Sequence, residues 1–206
     1  AQNDQIFTSG KRFDPETGEV EGGIGIPPAP TFGTIPDETD RPEWEGYRKL
    51  LHRHFGPKGV ENYRQDARAY AAWLIDQVIE TGKIDFVIDF ASPLPAMVTM
   101  KLCGFPLEEA RRFADLIHEM VYTPKDDPAF VQIVNDLAWI RQRVAECAAL
   151  YREQPTDNFI SHIVHADIDG RPLNDEEIQR IMWNVVLGGV DTTTALTSNV
   201  LLHLYQ

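Results

Sequence analysis

No proline interrupts the chain between Asn174 and Leu204, and that absence constrains the fold more than any other feature. Asn174 followed three residues later by Glu177 is the spacing of a capping box. The stretch therefore predicts one helix of about 45 Å at ~1.5 Å per residue, long enough to cross a whole domain. Its middle reads Leu187-Gly188-Gly189-Val190-Asp191-Thr192-Thr193-Thr194. Glycine costs roughly 1 kcal/mol against alanine inside a helix, and threonine a few tenths, so a helix that served only as a strut has no reason to hold them. Each residue has a chemical use instead. Gly188 and Gly189 remove two side chains and let a flat ligand approach the backbone. Thr192 lies four residues after Gly188, where its hydroxyl can bond the Gly188 carbonyl and locally loosen the helix. Asp191 sets a carboxylate beside it. A shallow notch rimmed by a hydroxyl and an acid suits the delivery of protons to something bound against the helix. A neighbouring helix packed into a Gly-Gly/Thr notch is the other reading of the same residues.

The rest of the chain reads as helices of ordinary length. Pro42 suits a first turn, and Trp44, Tyr47, Leu51 and Phe55 follow on one side until Gly56-Pro57 stops the helix. Tyr63, Ala67, Tyr70, Leu74 and Val78 repeat at helical spacing as far as Gly82. Ile84 to Phe90 alternates in the manner of a short strand. Ser92 caps and Pro93 opens a helix to Cys103, ended by Gly104. Leu107 to Tyr122 is a further helix, and Asp127-Pro128 opens a long one through Phe130, Val134, Leu137, Ile140, Val144 and Cys147. Asp157 caps a short helix to Ala166. Between Gly22 and Pro36, eight of fifteen residues are Gly or Pro, interleaved with Ile24, Ile26, Phe32 and Ile35, which predicts a loop folded over an apolar surface. The fold class is mainly α, with about seven helices and little β. The chain divides into a loop-rich region (1–40), a helical scaffold (41–173) and the long helix (174–206).

A chain of 206 residues with a net charge of −13 is poorly suited to nucleic acid or an anionic membrane. No apolar run approaches the ~20 residues of a membrane span. Two cysteines, Cys103 and Cys147, are too few for a disulfide framework; both sit in apolar helical surroundings and point to a reducing, cytoplasmic setting.

Trp44 and Arg48 are four apart, so one helix face carries an indole N–H and a guanidinium, a natural clamp for a carboxylate. In isolation the same pair is also a Trp packed under an Arg stem. The sequence Arg-Pro-Glu-Trp-x-x-x-Arg-x-Leu-Leu resembles the helix by which cytochromes P450, the haem-thiolate monooxygenases, hold a haem propionate. Gly-Gly-Val-Asp-Thr-Thr resembles the oxygen-binding motif of that family, [A/G]-G-x-[D/E]-T-[T/S]. Asp85-Phe86-Val87-x-Asp89-Phe90-Ala91, Leu102-Cys103-Gly104-Phe105-Pro106, Asp157-Asn158-Phe159-Ile160 and Leu173-Asn174-Asp175-Glu176-Glu177-Ile178 are similar to its scaffold segments, in the same order. The resemblance implies a partial cytochrome P450 fold. It implies haem b as cofactor, O2 and an apolar small molecule as substrates, and a ferredoxin-type electron donor. It also implies roles for residues: Asp191 and Thr192 as the proton-handling pair; Trp44, Arg48, Phe55, Val185, Gly188, Gly189 and Thr192 as haem contacts. Ile24, Ile26, Phe32, Asn184, Leu187 and Gly188 become substrate contacts, with Asn184 suggesting a substrate with one polar handle. The iron-ligating cysteine of the family belongs to a loop expected beyond Gln206, since neither Cys103 nor Cys147 has its context, so this stretch alone is not expected to be active. From Arg41 to Arg64 there are six Lys/Arg (Arg41, Arg48, Lys49, Arg53, Lys58, Arg64) against three acids (Glu43, Glu45, Glu61). That reversal of sign makes Lys49, Arg53 and Lys58 candidates for docking an acidic donor.

Three rival readings remain. His165-x-Asp167-x-Asp169-Gly170 followed by Glu176 matches an EF-hand calcium loop, except that His165 replaces its first Asp and Pro172 occupies its eighth position. His52 with His54, or His162 with His165, has metal-ligand spacing without a third ligand. The third reading is a non-catalytic helical scaffold.

Overall fold

The computed structural model describes residues 8–24 and 33–206. A two-stranded antiparallel hairpin, β1 (Arg12–Phe13) and β2 (Val20–Glu21), precedes the helices. Then come α1 (Glu43–Phe55), α2 (Pro57–Glu61), α3 (Arg64–Asp76), α4 (Pro93–Cys103), α5 (Ala110–Tyr122), α6 (Ala129–Asp136), α7 (Ala138–Glu153) and α8 (Phe159–Val164). A second hairpin, β3 (Asp167–Ile168) and β4 (Arg171–Pro172), leads into α9 (Asp175–Tyr205). Among the described residues, seven helices have eight residues or more, so the fold is mainly α as the periodicity predicts.

The 31 residues of α9 form the axis on which α4, α5, α7 and α8 pack. Its start is the predicted capping box: Asn174 Oδ1 accepts from the Glu177 amide at 2.9 Å, and Glu177 Oε2 accepts from the Asn174 amide at 2.8 Å. Ile178, Ile181, Met182, Val186, Val190 and Thr194 recur at three- and four-residue steps and are all buried. They meet Ala96, Met100 and Cys103 of α4 and Phe113 and Ile117 of α5 in one core. Fully burying such side chains contributes roughly 1.5–3 kcal/mol each, which fixes which face of α9 turns inward. By length and composition alone α9 could cross a membrane, contrary to the reading of apolar runs. Its buried stripe and polar partners instead tie it to the other helices.

Several local expectations are corrected. Ile84 to Phe90 is not a strand: Val87–Ala91 forms a π-helical turn, held by the Asp85 carboxylate, which accepts from the amides of Val87 and Ile88 at 3.1 Å. Ser92 makes no side-chain cap for α4. The long helix after Pro128 breaks at Leu137 into α6 and α7. The cap of α8 is Asn158, whose Oδ1 accepts from the Ser161 amide at 2.8 Å, rather than Asp157. The Asp167–Gly170 segment is the turn of the second hairpin. Asp167 Oδ1 accepts from the Gly170 amide at 3.1 Å, and no group of three metal-ligating side chains gathers among the described residues. The calcium reading therefore finds no support in the arrangement.

Candidate functional site

Thr192 and Gly188 lie on the exposed face of α9, opposite the buried stripe. The Thr192 hydroxyl donates to the Gly188 carbonyl at 2.6 Å, the bond the sequence predicts. The same back-bonding recurs at Thr194, Thr197 and Ser198, so Thr192 differs from them by its position on the face rather than by the bond itself. The two glycines part company. A Cβ on Gly188 would meet nothing within 4 Å, whereas one on Gly189 would lie 2.5 Å from Thr99 Oγ1 of α4. Gly188 keeps a surface open, and Gly189 lets α4 close on α9. In this structure Gly189 is a packing contact with α4.

Asp191 does not sit beside the Thr192 hydroxyl. Successive helical residues point about 100° apart, and Asp191 turns toward α5. There its Oδ1 lies 3.6 Å from His118 Nε2, with side chains 13% and 21% exposed. His118 Nδ1 is 3.5 Å from Ser92 Oγ. Sequence reasoning missed His118. Its signal was a polar residue four after Ala114 and eight after Ala110, on the stripe that α5 buries.

The segment 33–36 folds onto the N-terminal half of α9. Arg180 Nε donates to the Gly33 carbonyl at 3.0 Å, and Asn184 Nδ2 donates to the Ile35 carbonyl at 3.1 Å. Ile35 is buried; residues 25–32 of the predicted loop lie outside the described residues. Asn184 thus gives one of its two amide hydrogens to the loop backbone. Leu187 and Val185 are half-buried against the core. Ile24 is exposed, its amide donating to Glu38 Oε1 at 3.1 Å. Ile26 and Phe32 lie outside the described residues.

On α1, Trp44 is half-buried and Arg48 exposed. The guanidinium stacked on Trp44 is that of Arg41, 5.8 Å from the ring centroid, rather than that of Arg48. Arg48 makes no hydrogen bond or ion pair with another described residue. Phe55 packs edge-on against Phe159 of α8 at 5.5 Å and stays partly exposed. Lys49, Arg53 and Lys58 are exposed. The helix is anchored by Tyr47, whose hydroxyl donates to Glu177, while Arg171 forks onto the same carboxylate at 2.6 and 2.8 Å. Arg171 first of all holds Glu177 down at about 2, and burial pushes Tyr47 up to about 12. The two histidine pairs are rearranged: His54 Nε2 faces His162 Nδ1 at 3.2 Å, and Asp157 lies 3.1 Å from His162 Nε2.

Comparison with known proteins decides the family. The chain is 31% identical over 168 residues to the polyketide biosynthesis cytochrome P450 PksS of Bacillus subtilis, covering 81% of this chain and 41% of that protein. It is 32% identical over 180 residues to the erythromycin C-12 hydroxylase of Saccharopolyspora erythraea, covering 84% and 44%. The solved structure of Bacillus subtilis PksS superposes with a TM-score of 0.72 at 29% identity, over 82% of this chain and 44% of that one. The chain belongs to the cytochrome P450 family. No family model matches it, and it spans less than half the length of the cytochromes P450 it resembles. Two features of this chain fit the haem that its family implies. Gly188 leaves open backbone on the exposed face of α9, and Arg48 offers a guanidinium without an ion-pair partner among the described residues.

Proposed function

We propose that the protein is a haem-dependent monooxygenase that inserts one atom of O2 into an apolar organic substrate, with electrons from a ferredoxin-type donor. The observation that carries this reading is the open Gly188 backbone with the Thr192 hydroxyl one turn on, in a member of the cytochrome P450 family. Haem, when bound, supplies the electron and oxygen chemistry; the residues of this chain supply shape, anchoring and protons. Gly188 lets a planar group lie against α9. Arg48 is the cation for a carboxylate of that group, a charge-assisted pair of on the order of 1.5–3 kcal/mol. Thr192 now donates its hydrogen to the Gly188 carbonyl, so its oxygen can only accept; to donate, the hydroxyl must turn away from that carbonyl. Asp191 is the acid that moves protons to this point. One relative is named a hydroxylase acting on erythromycin, which supports an organic substrate without identifying it. Both cysteines are free and buried, which suits a reducing compartment, and we place the protein in the cytoplasm.

The test is Thr192→Ala in the complete enzyme. Electron consumption should continue while product per electron pair falls several-fold and peroxide rises. An unchanged ratio of product to cofactor oxidised removes Thr192 from the mechanism.

A further inference from the structure

Among the described residues, two buried polar side-chain atoms lack a hydrogen-bond partner, and they face each other: His118 Nε2 and Asp191 Oδ1. An unsatisfied buried polar atom costs about 1–3 kcal/mol, and native proteins keep few of them. Two such atoms 3.6 Å apart form a contact that a shift of about half an ångström turns into a hydrogen bond.

His118 also opens onto a surface groove that Asp191 does not line. It lines a groove of about 410 Å³ between α3, α4 and α5, walled by Trp73, Met97 and Leu107 and bordered by Asp89 and Asp115. Ser92 lines the same groove, its Oγ 3.5 Å from His118 Nδ1. The order groove, Ser92, His118, Asp191 is thus continuous, and it arrives at α9 from the side away from Thr192.

We propose that this groove is where protons enter the site and that His118 is the positioning residue that passes them to Asp191. The proposal rests on the monooxygenase reading above, in which Asp191 relays protons. His118 bearing hydrogen on Nε2 takes a proton at Nδ1 through the Ser92 hydroxyl and gives its Nε2 proton to Asp191 Oδ1. A neutral imidazole with hydrogen on Nδ1 is left, and the starting tautomer returns when the ring exchanges its hydrogens with water, losing one at Nδ1 and taking one up at Nε2. An imidazole can do this near neutral pH because it both accepts and donates there. The charged and titratable groups around it are Asp191 from α9, Tyr122 and Asp115 from α5 and Asp89 before α4, with Glu108 and Arg111 at the groove rim. Arg111 is 3.7 Å from Asp115, and the acids along the groove outnumber the cations.

The experiment uses the complete haem-loaded enzyme with His118→Gln, His118→Phe and Asp191→Asn, and includes a reading independent of turnover. In side-chain 15N spectra the His118 Nε2 resonance should move in Asp191→Asn; an unmoved resonance overturns the contact. Both His118 variants should slow turnover about ten-fold and raise its solvent deuterium isotope effect, Gln less than Phe. If Phe fails to fold, Gln alone decides. A fall in melting temperature with an unchanged isotope effect makes His118 a packing residue and overturns the proposal. If Asp191→Asn slows turnover and the His118 variants do not, protons enter elsewhere while the monooxygenase reading stands. If Asp191→Asn also leaves turnover unchanged, the relay itself is wrong.

Discussion

An added Cβ at Gly189 would lie 2.5 Å from Thr99 Oγ1 and 3.3 Å from its Cγ2, while at Gly188 it would meet nothing. Adjacent and identical residues therefore answer to different demands, and substitution separates them. Gly188→Ala should stabilise the protein by up to about 1 kcal/mol, the helix preference of alanine over glycine, while weakening haem retention because a methyl now stands on the open face. Gly189→Ala should destabilise by about 1–3 kcal/mol through overpacking. Thr99→Ala should restore most of that loss, since only a Cβ then remains, 3.5 Å from the new methyl. Thermal melts of the two single variants and of the Gly189→Ala/Thr99→Ala pair check both halves; absence of rescue would mean the clash lies elsewhere. The six-residue motif made the pair visible in the sequence, but only the packing of α4 says which glycine does what.

At the scale of elements, α1 is fastened at both ends by groups that respond to acid. His54, buried against Phe159 and His162, is lowered to about 4, first by burial and then by His162. The unfolded chain takes up this proton near pH 6.5 and the folded one refuses it, so stability is complete above about 6.5 and is lost as pH falls toward 4. The loss is on the order of 3 kcal/mol at most, at ~1.4 kcal/mol per pKa unit. Glu177 at about 2 keeps its contribution down to its ordinary value of 4.5 and loses it between there and about 2. Melting temperatures from pH 7 to 4 should fall, and His54→Phe should flatten the fall; a slope unaltered by His54→Phe would place the sensitivity elsewhere. How far such elements were legible depends on the range of the forces that make them. The capping box of α9 is set by residues three apart and could be read directly. The alternation from Ile84 to Phe90 was too short to tell a strand from a π-turn fixed by Asp85. The break at Leu137 carries neither Pro nor Gly. His118 meets Asp191 across 73 residues of chain, a distance over which no local pattern speaks.

For the whole molecule, charge is unevenly spread: the chain carries −13, while Arg41 to Arg64 carries six cations against three acids. Lys49 and Arg53 are exposed on α1. Reversing both to Glu should slow reduction by an acidic ferredoxin about ten-fold or more at low salt, with the difference shrinking as ionic strength rises. Reduction at the wild-type rate in low salt would move the docking surface elsewhere. The segment 33–36 has a different consequence for the molecule, because Arg180 and Asn184 hold its carbonyls while the Ile35 amide donates to the Arg180 carbonyl at 3.5 Å. Any excursion of that segment must break all three bonds together, so amide hydrogen exchange at Ile35 becomes a clock for it. Asn184→Ala should quicken exchange at Ile35 by several-fold while leaving the amides of Val186 and Val190, deep on the other face of the same helix, at their original pace. Equal acceleration at all three sites would mean that the whole helix, and not the segment, had come loose.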